Sequence, residues 1–352
     1  MRVRVIGAGV AGLCAAYALA RKGVDVEIVE RERGPGLGCS RFAGGMIAPW
    51  CELESAEPLV ATLGEEALDF WSRDIGVATV AGSLVVAPRR ERAELFDFAR
   101  RTRNFETLDG AEIGALEPDL AGRFEAGLFF RKEAHLDPRA AMAALVGRLA
   151  RMPNVAFRFA QDGAEPAPAA DWTVDCRGLA AREALPGLRG VKGEMLILRG
   201  EEISFTRPVR MLHPRRPVYV VPRGEGLFMV GATMIENEER ARVTARSIVE
   251  LVNSAFAIHP AFAEAEIVET GSDLRPAFAD NLPRLLKRDR ALYINGLYRH
   301  GFLLAPAMAR RVAEVVVNDG YFPEVMDAHS NQRAAPGRAG HHIANAAAGT
   351  GV

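Results

Sequence analysis

The sequence predicts an α/β fold, α+β overall: a nucleotide-binding domain that is discontinuous along the chain, and a β-rich second domain. Three observations predict it. A short β-rich run, Val3-Arg4-Val5-Ile6, meets Gly7-Ala8-Gly9-Val10-Ala11-Gly12, and a helix pattern follows at once. An acid, Glu30, closes the next strand pattern 21 positions after Gly9. A β-rich middle then returns to strand–helix alternation near the C-terminal end.

The glycine turn is specific because its context is complete. Such a turn brings bare backbone N–H groups and a helix N-terminus onto a pyrophosphate, as in a Rossmann-like unit. Gly7 permits the tight turn, Gly9 has no Cβ to obstruct phosphates, and Gly12 lets the helix lie close on the strand. The helix is expected over Leu13–Lys22, with Gly23 as its stop. Val24–Glu30 reads as the second strand. Glu30 would accept hydrogen bonds from a ribose 2′-OH and repel a 2′-phosphate, which disfavours NADP.

Further along, Arg31–Gly38 is a Gly/Pro/Arg loop and Ser40–Pro49 is rich in small residues, which let backbone approach a flat ligand. Residues 56–125 are mixed: Leu63–Ser72 and Arg90–Arg103 suit helices and Gly82–Ala87 a strand. Asp137-Pro138 starts a helix, with Asp as N-cap and Pro at the first position. Val155–Phe159 and Trp172–Cys176 read as strands, the latter leading into a second glycine turn at Gly178. Val191–Leu198, Pro217–Val221 and Leu227–Gly231 form the β-rich unit, and Thr244–Ala257 a helix. Leu292–Gly296 is a strand and Leu303–Val317 an amphipathic helix. Residues 326–352 carry little core potential and are expected as a disordered tail, with His341-His342 idle in it. No internal repeat is found.

Composition narrows the function classes. The chain has 352 residues, 49 % hydrophobic, enough for a packed core and a length prior of two domains. A net charge of −1 offers no electrostatic case for nucleic acid. Of 44 basic residues only Lys22, Lys132, Lys192 and Lys287 are lysines, a skew that reflects genome composition and also supplies guanidinium receptors for carboxylates. Cys14, Cys39, Cys51 and Cys176 show neither CxxC nor metal spacing, so no metal is expected. No leader pattern precedes the first strand and no apolar run reaches a membrane span, so a soluble cytoplasmic protein is expected. Gly-x-Ser-x-Gly, zinc spacing and a Walker loop are absent, which removes hydrolase and kinase readings.

Two arginines stand apart from solvated surface charge. Arg275 precedes Pro276 in an extended segment, and Arg299 occupies the turn between the last strand and the last helix. A planar fork in either place fits a carboxylate. Tyr219 lies on a strand with alternating faces, where its hydroxyl could bond a carboxylate or its ring could pack a core. Met234 after Gly231-Ala232-Thr233 reads as packing, and His300 as a base or a structural histidine.

Together these segments resemble one family. Val5–Leu13, Phe42-Ala43-Gly44-Gly45-Met46-Ile47-Ala48-Pro49-Trp50-Cys51-Glu52, Gly231–Met234, Leu274-Arg275-Pro276 and Gly296–Pro306 are similar to glycine oxidases of the thiamine-biosynthesis type (ThiO-like), within the D-amino-acid oxidase/sarcosine oxidase group. The resemblance covers about residues 1–320. It implies FAD, bound noncovalently because no cysteine follows Cys176 to tether it. It implies that Gly7, Gly9, Val10, Ala11, Gly12, Glu30 and Arg31 serve the adenosine and pyrophosphate end. Cys39, Ser40, Gly44, Gly45, Met46 and Gly178 would serve the flavin side, and Gly296, Arg299, His300, Gly301, Phe302 and Leu303 would close over the flavin ring. It assigns the substrate to Arg275, Arg299, Tyr219 and Met234, with no side-chain acid or base. Arg41 departs from the family pattern.

The implied domains are 1–50, 135–190 and 268–322 for FAD, and 51–134 and 191–267 for substrate. The implied reaction is oxidative deamination of glycine by hydride transfer from Cα to flavin N5, with dioxygen yielding hydrogen peroxide. The imine would supply thiazole synthesis, with a thiazole synthase as possible partner, and the chain would form a homo-oligomer. The competing readings are a sarcosine or D-amino-acid oxidase, an FAD amine dehydrogenase with another acceptor, and a non-catalytic FAD-bound partner protein.

Overall fold

The computed structural model describes residues 1–161, 169–214, 217–239 and 242–327. β1 (Arg2–Ile6) enters the glycine turn and α1 (Val10–Arg21) leaves it. The helix starts before the expected Leu13 because the Val10 amide donates to the Ser40 hydroxyl at 3.2 Å. That bond satisfies the first turn from a distant loop, where local pattern shows no cap. Gly23, with φ +78°, ends the helix as expected, and β2 (Asp25–Glu30) follows.

β3 (Met46–Ile47) and α2 (Pro58–Asp69) come next, the helix starting at its proline rather than at Leu63 and ending in a π-helical turn, Phe70–Asp74. β4 (Ser83–Val86) and α3 (Arg92–Arg101) fall inside the expected segments. β5 (Glu106–Asp109) and α4 (Gly110–Leu116) are new. A capping box sets α4: Asp109 Oδ1 accepts from the Glu112 amide at 2.9 Å, and Glu112 Oε2 accepts from the Asp109 amide at 2.8 Å. β6 (Ala126–Phe130) and β7 (Ala134–His135) lead to α5 (Pro138–Leu149). Its Asp137 cap accepts from the Arg139 and Ala140 amides at 2.7 and 2.8 Å.

β8 (Val155–Phe159), β9 (Trp172–Asp175), β10 (Arg189–Arg199), β11 (Val209–Met211), β12 (Val218–Gly224) and β13 (Leu227–Gly231) follow. α6 (Ala245–Ile258) is capped by Thr244. β14 (Glu266–Ala277) is far longer than the extended stretch expected around Arg275. Its polar composition hides it, and Pro276 is tolerated because β14 is an edge strand. β15 (Arg284–Arg288), β16 (Ala291–Asn295), α7 (Gly301–Asn318) and α8 (Pro323–Met326) complete the described chain. Of the tail expected over 326–352, only Met326 and Asp327 are described, and Met326 ends α8. The remainder, with His341 and His342, lies outside the described residues.

α7 contains Pro306. A proline there cannot donate to the carbonyl four residues back, that of Phe302. The Trp71 indole donates to that carbonyl instead, at 2.8 Å. The helix therefore runs through its proline, and the same bond ties α7 to the π-helical turn after α2.

Two large sheets result. The first has the order β15-β16-β9-β1-β2-β8 and is parallel except for the β15/β16 hairpin. Its apolar strands pack with α1, α5 and α7 in one core. The second has the order β14-β10-β13-β12-β11-β4-β6-β5. β14 pairs along its whole length with β10, so the boundary expected at 268 falls within one strand. α6 covers one face of this sheet. On the other, Met195, Val221 and Met229 meet Phe42, Met46 and Tyr219. β3 and β7 form a separate two-stranded antiparallel ladder. No helix among the described residues is long and apolar enough to cross a membrane.

The closest backbone approach is at Gly12, where a Cβ would lie 1.8 Å from the Gly7 carbonyl oxygen. Backbone cannot yield as a flexible side chain can. Gly12→Ala is expected to destabilise the fold by at least about 1–3 kcal/mol, read as a lower urea midpoint with unchanged m-value.

Candidate functional site

A cavity of ≈ 460 Å³ runs from the glycine turn to the face of the second sheet opposite α6. At one end lie Gly7, Gly9, Val10, Ala11, Glu30 and Arg31. Gly7 has φ +100° and abuts the Cys176 carbonyl, which a Cβ would approach to 2.7 Å. Glu30 Oε2 accepts from the Ala8 amide at 2.6 Å and Oε1 from the Glu32 amide at 3.0 Å. The acid is thus locked against the loop, at the positive end of α1. Gly12 does not line the cavity; it sets the packing of helix on turn.

In the middle lie Cys39, Ser40, Gly44, Gly45, Met46 and Gly178. A Cβ on Gly44 would meet the Tyr219 ring at 2.8 Å, and one on Gly45 would lie 2.1 Å from the Leu136 carbonyl oxygen. The bare backbone here is a spatial requirement. Arg223 holds this stretch from β12, donating to the Gly44 carbonyl at 2.9 Å, the Ala43 carbonyl at 3.2 Å and the Leu136 carbonyl. Burial pulls its guanidinium down to about 10. Arg41 does not line the cavity; its carbonyl accepts from Arg139 at 3.4 Å.

The turn after β16 supplies Arg299, His300, Gly301, Phe302 and Leu303. Gly296 itself does not line the cavity. Its φ of +75° turns the chain, and a Cβ would strike Phe278 at 2.5 Å. Asn295 braces the turn by donating to the Gly178 carbonyl at 2.8 Å.

The far end holds the charges. Arg275 projects from β14 across Gly193, where a Cβ would sit 2.2 Å from its guanidinium. It donates to the Thr233 carbonyl at 3.1 Å and makes no ion pair with any described carboxylate. Burial pulls its guanidinium below the ordinary range, with Tyr219 acting the other way. Burial pushes the Tyr219 phenol up, against Arg275 and Arg299. Arg299 is neutralised: it meets Glu52 at 2.9 Å, and the same oxygen lies 2.8 Å from His300 Nε2. Burial raises the Glu52 carboxyl, but Arg299, His300 and Arg210 outweigh it and hold Glu52 well below the ordinary carboxylate range. Arg210, on β11, lies 3.6 Å from Glu52 and 3.2 Å from Glu54. Met234 and Tyr298 stand over this end, Met234 being 53 % exposed.

The structure therefore brings all the expected site residues to one cavity except Gly12 and Gly296, which shape it from behind. Sequence reasoning missed Glu52, Arg210, Arg223 and Glu133. Glu52 closes the very run that carries the family resemblance. Arg210 is a charge inside an apolar strand pattern, Val209-Arg210-Met211, a signal for an inward-facing cation. Arg223 and Glu133 leave no such mark. Glu133 is fully buried and accepts from the Trp50 and Cys51 amides at 3.0 and 2.8 Å, anchoring the loop that carries Glu52. Among the described residues no cluster could hold a metal ion.

A family model described as DAO, FAD dependent oxidoreductase, matches residues 2–315. A Rhizobium etli protein with the provisional name thiamine biosynthesis oxidoreductase ThiO is 54 % identical over 92 % of this chain and 99 % of its own. A glycine oxidase of Bacillus licheniformis is 26 % identical over 94 % of this chain and 96 % of its own. The crystal structure of iminodiacetate oxidase (IdaA) from Chelativorans sp. BNC1 superposes with a TM-score of 0.77 at 26 % identity, over 90 % of this chain and 95 % of that one.

Glu133 gives a pH test. Burial pushes its carboxyl from the ordinary 4.5 up to about 8, against the Cys51 and Trp50 amides and with the push of Glu52. Between those values the folded chain holds a proton that the unfolded chain has released, so this group's contribution to stability falls as pH rises. Glu133→Gln keeps the acceptor and needs no proton. It is expected to gain stability over the parent between pH 5 and 8 in paired urea titrations; curves that stay parallel would contradict the buried acid.

Proposed function

The chain belongs to the DAO family of FAD dependent oxidoreductases, and from that premise we propose that it oxidises glycine, and other small amines of that kind, as a ThiO-like amine oxidase. The cavity fits FAD. Its glycines leave backbone bare where a Cβ would intrude, α1 points its N-terminus into it, and Glu30 stands where a ribose would be met. Gly7, Gly9, Val10, Ala11 and Glu30 would hold the adenosine and pyrophosphate. Ser40, Gly44, Gly45, Met46 and the Arg299–Leu303 turn would hold the ring. When bound, FAD supplies the two-electron acceptor at which substrate Cα–H is lost.

One observation carries the substrate reading: Arg275 is a half-buried guanidinium with no described carboxylate to balance it, beside Tyr219. Arg299 and Arg210 are already answered by Glu52 and Glu54. Of these three arginines Arg275 is the one with no ion pair to a described carboxylate, suited to one carboxylate of the substrate. Arg275 offers it a planar fork and Tyr219 a hydroxyl donor. Glu52, held ionised by Arg299, the hydrogen bond to His300 and Arg210, is a weak base. Proton removal by a side chain is not needed if the amine is bound neutral, and the residues act chiefly by orientation.

Identity with the Rhizobium protein supports a role in thiamine biosynthesis, in which the imine product passes to thiazole synthesis, through a thiazole synthase, or hydrolyses to glyoxylate and ammonia. Dioxygen as acceptor, giving hydrogen peroxide, and a homo-oligomeric state belong to the same proposal.

Anaerobic mixing of the yellow holoprotein with glycine tests the reading. Bleaching of the oxidised flavin band, restored by air, is the expected result. A band that stays oxidised rejects glycine. Bleaching that air does not reverse moves the acceptor away from dioxygen. Arg275→Ala is expected to lose about 2–5 kcal/mol of substrate binding, seen as a raised KM, as truncating a buried charge partner does. Arg275→Lys should also be impaired because a point charge cannot replace the fork. An unchanged KM for glycine in Arg275→Ala would remove this residue from the role.

A further inference from the structure

We propose that Met234 is an oxidative modification site: hydrogen peroxide at the cavity mouth converts its thioether to a sulfoxide, whose oxygen then engages Arg299 and weakens carboxylate binding. The source of peroxide rests on the oxidase reading; the site itself rests on geometry.

Met234 is 53 % exposed, whereas Met195, Met211, Met229 and Met308 are each 3 % exposed or less. Its side chain lines the cavity. Its sulfur accepts from Arg299 Nη1 at 3.4 Å and from the Tyr298 hydroxyl at 3.5 Å. The preceding residue, Thr233, gives its carbonyl to Arg275 at 3.1 Å. The sulfur thus sits between solvent and the two arginines of the substrate end, with two donors already directed at it.

The chemistry balances. A sulfur lone pair attacks one peroxide oxygen, and the S–O bond forms as the O–O bond breaks. A proton moves from the attacked oxygen to the departing hydroxide, which leaves as water. Sulfur is oxidised and peroxide is reduced by the same electron pair. Arg299 and Tyr298 are placed to hydrogen-bond the departing oxygen and then the sulfoxide oxygen. A thioether is a weak acceptor, and a sulfoxide is polar and a strong one. Oxidation therefore replaces two long contacts with a charge-assisted bond at Arg299, which competes with Glu52 and sets a larger, polar group at the residue next to Thr233, whose carbonyl holds Arg275.

FAD-loaded protein is treated with added hydrogen peroxide in the absence of substrate, and its methionines are scored by peptide mass spectrometry. Met234 is expected to gain oxygen ahead of Met195, Met211, Met229 and Met308. Two further readouts follow on the same sample: the KM for glycine, and the Kd of acetate from perturbation of the flavin band, which needs no turnover. Both should rise about tenfold with a smaller change in kcat, and methionine sulfoxide reductase should restore them. Met234→Leu, compared with its own untreated constants, should show no response to peroxide. Sulfoxide at Met234 with acetate binding unchanged overturns the proposal, as does a Met234→Leu protein that still weakens. Turnover of glycine in air without catalase should produce the same modification. Oxidation by added peroxide with none during turnover upholds the site and counts instead against dioxygen as the acceptor.

Discussion

The site depends on one buried carboxylate. Glu52 meets Arg299 and His300 through a single oxygen and Arg210 through the other. A buried cation without a partner is costly, and a buried pair is stable only when both members are well placed. Glu52 makes Arg299 tolerable in the cavity, and Arg275 is left there with no ion pair to a described carboxylate. Its own placement is inherited from Glu133, a buried acid, its carboxyl pushed up by burial, that receives the Trp50 and Cys51 amides.

A second constraint is the lack of side-chain atoms along the cavity wall. Gly44 makes room for the Tyr219 ring, Gly193 for the Arg275 guanidinium, and Gly45 for the Leu136 carbonyl. Each glycine on one element accommodates a functional group on another. Arg223 then fastens the junction by spreading one guanidinium over three carbonyls from two separate loops. With these three carbonyls and the Asp137 carboxylate at 3.7 Å, the Arg223 guanidinium is fully occupied.

The last helix shows the same economy. Pro306 gives up a helical hydrogen bond, and Trp71 takes the freed Phe302 carbonyl. The residues that turn over the cavity are thereby tied to the helical layer beneath it. Leu303 in turn fills the space above Gly64, where a Cβ would lie 2.7 Å away. Rigidity at the turn comes from these distant contacts.

The sequence by itself determined the nucleotide end. The glycine turn, Glu30 and α1 are legible because they lie within one βαβ unit, where spacing along the chain is spacing in space. Its periodic apolar strands, and the Asp137 cap, were legible for the same reason. The family motifs carried Arg275, Arg299, Tyr219 and Met234 as candidates, but not their charge states. Only the tertiary structure decided that Arg299 is paired and that Arg275 carries no described partner, because Glu52 lies 247 positions from Arg299 along the chain. It alone revealed β14, whose polar edge-strand composition has no strong period, and Arg223 and Glu133, whose partners come from remote loops. Local pattern records which face a residue presents. It does not record which charge, contributed from another layer, meets that face in the folded chain.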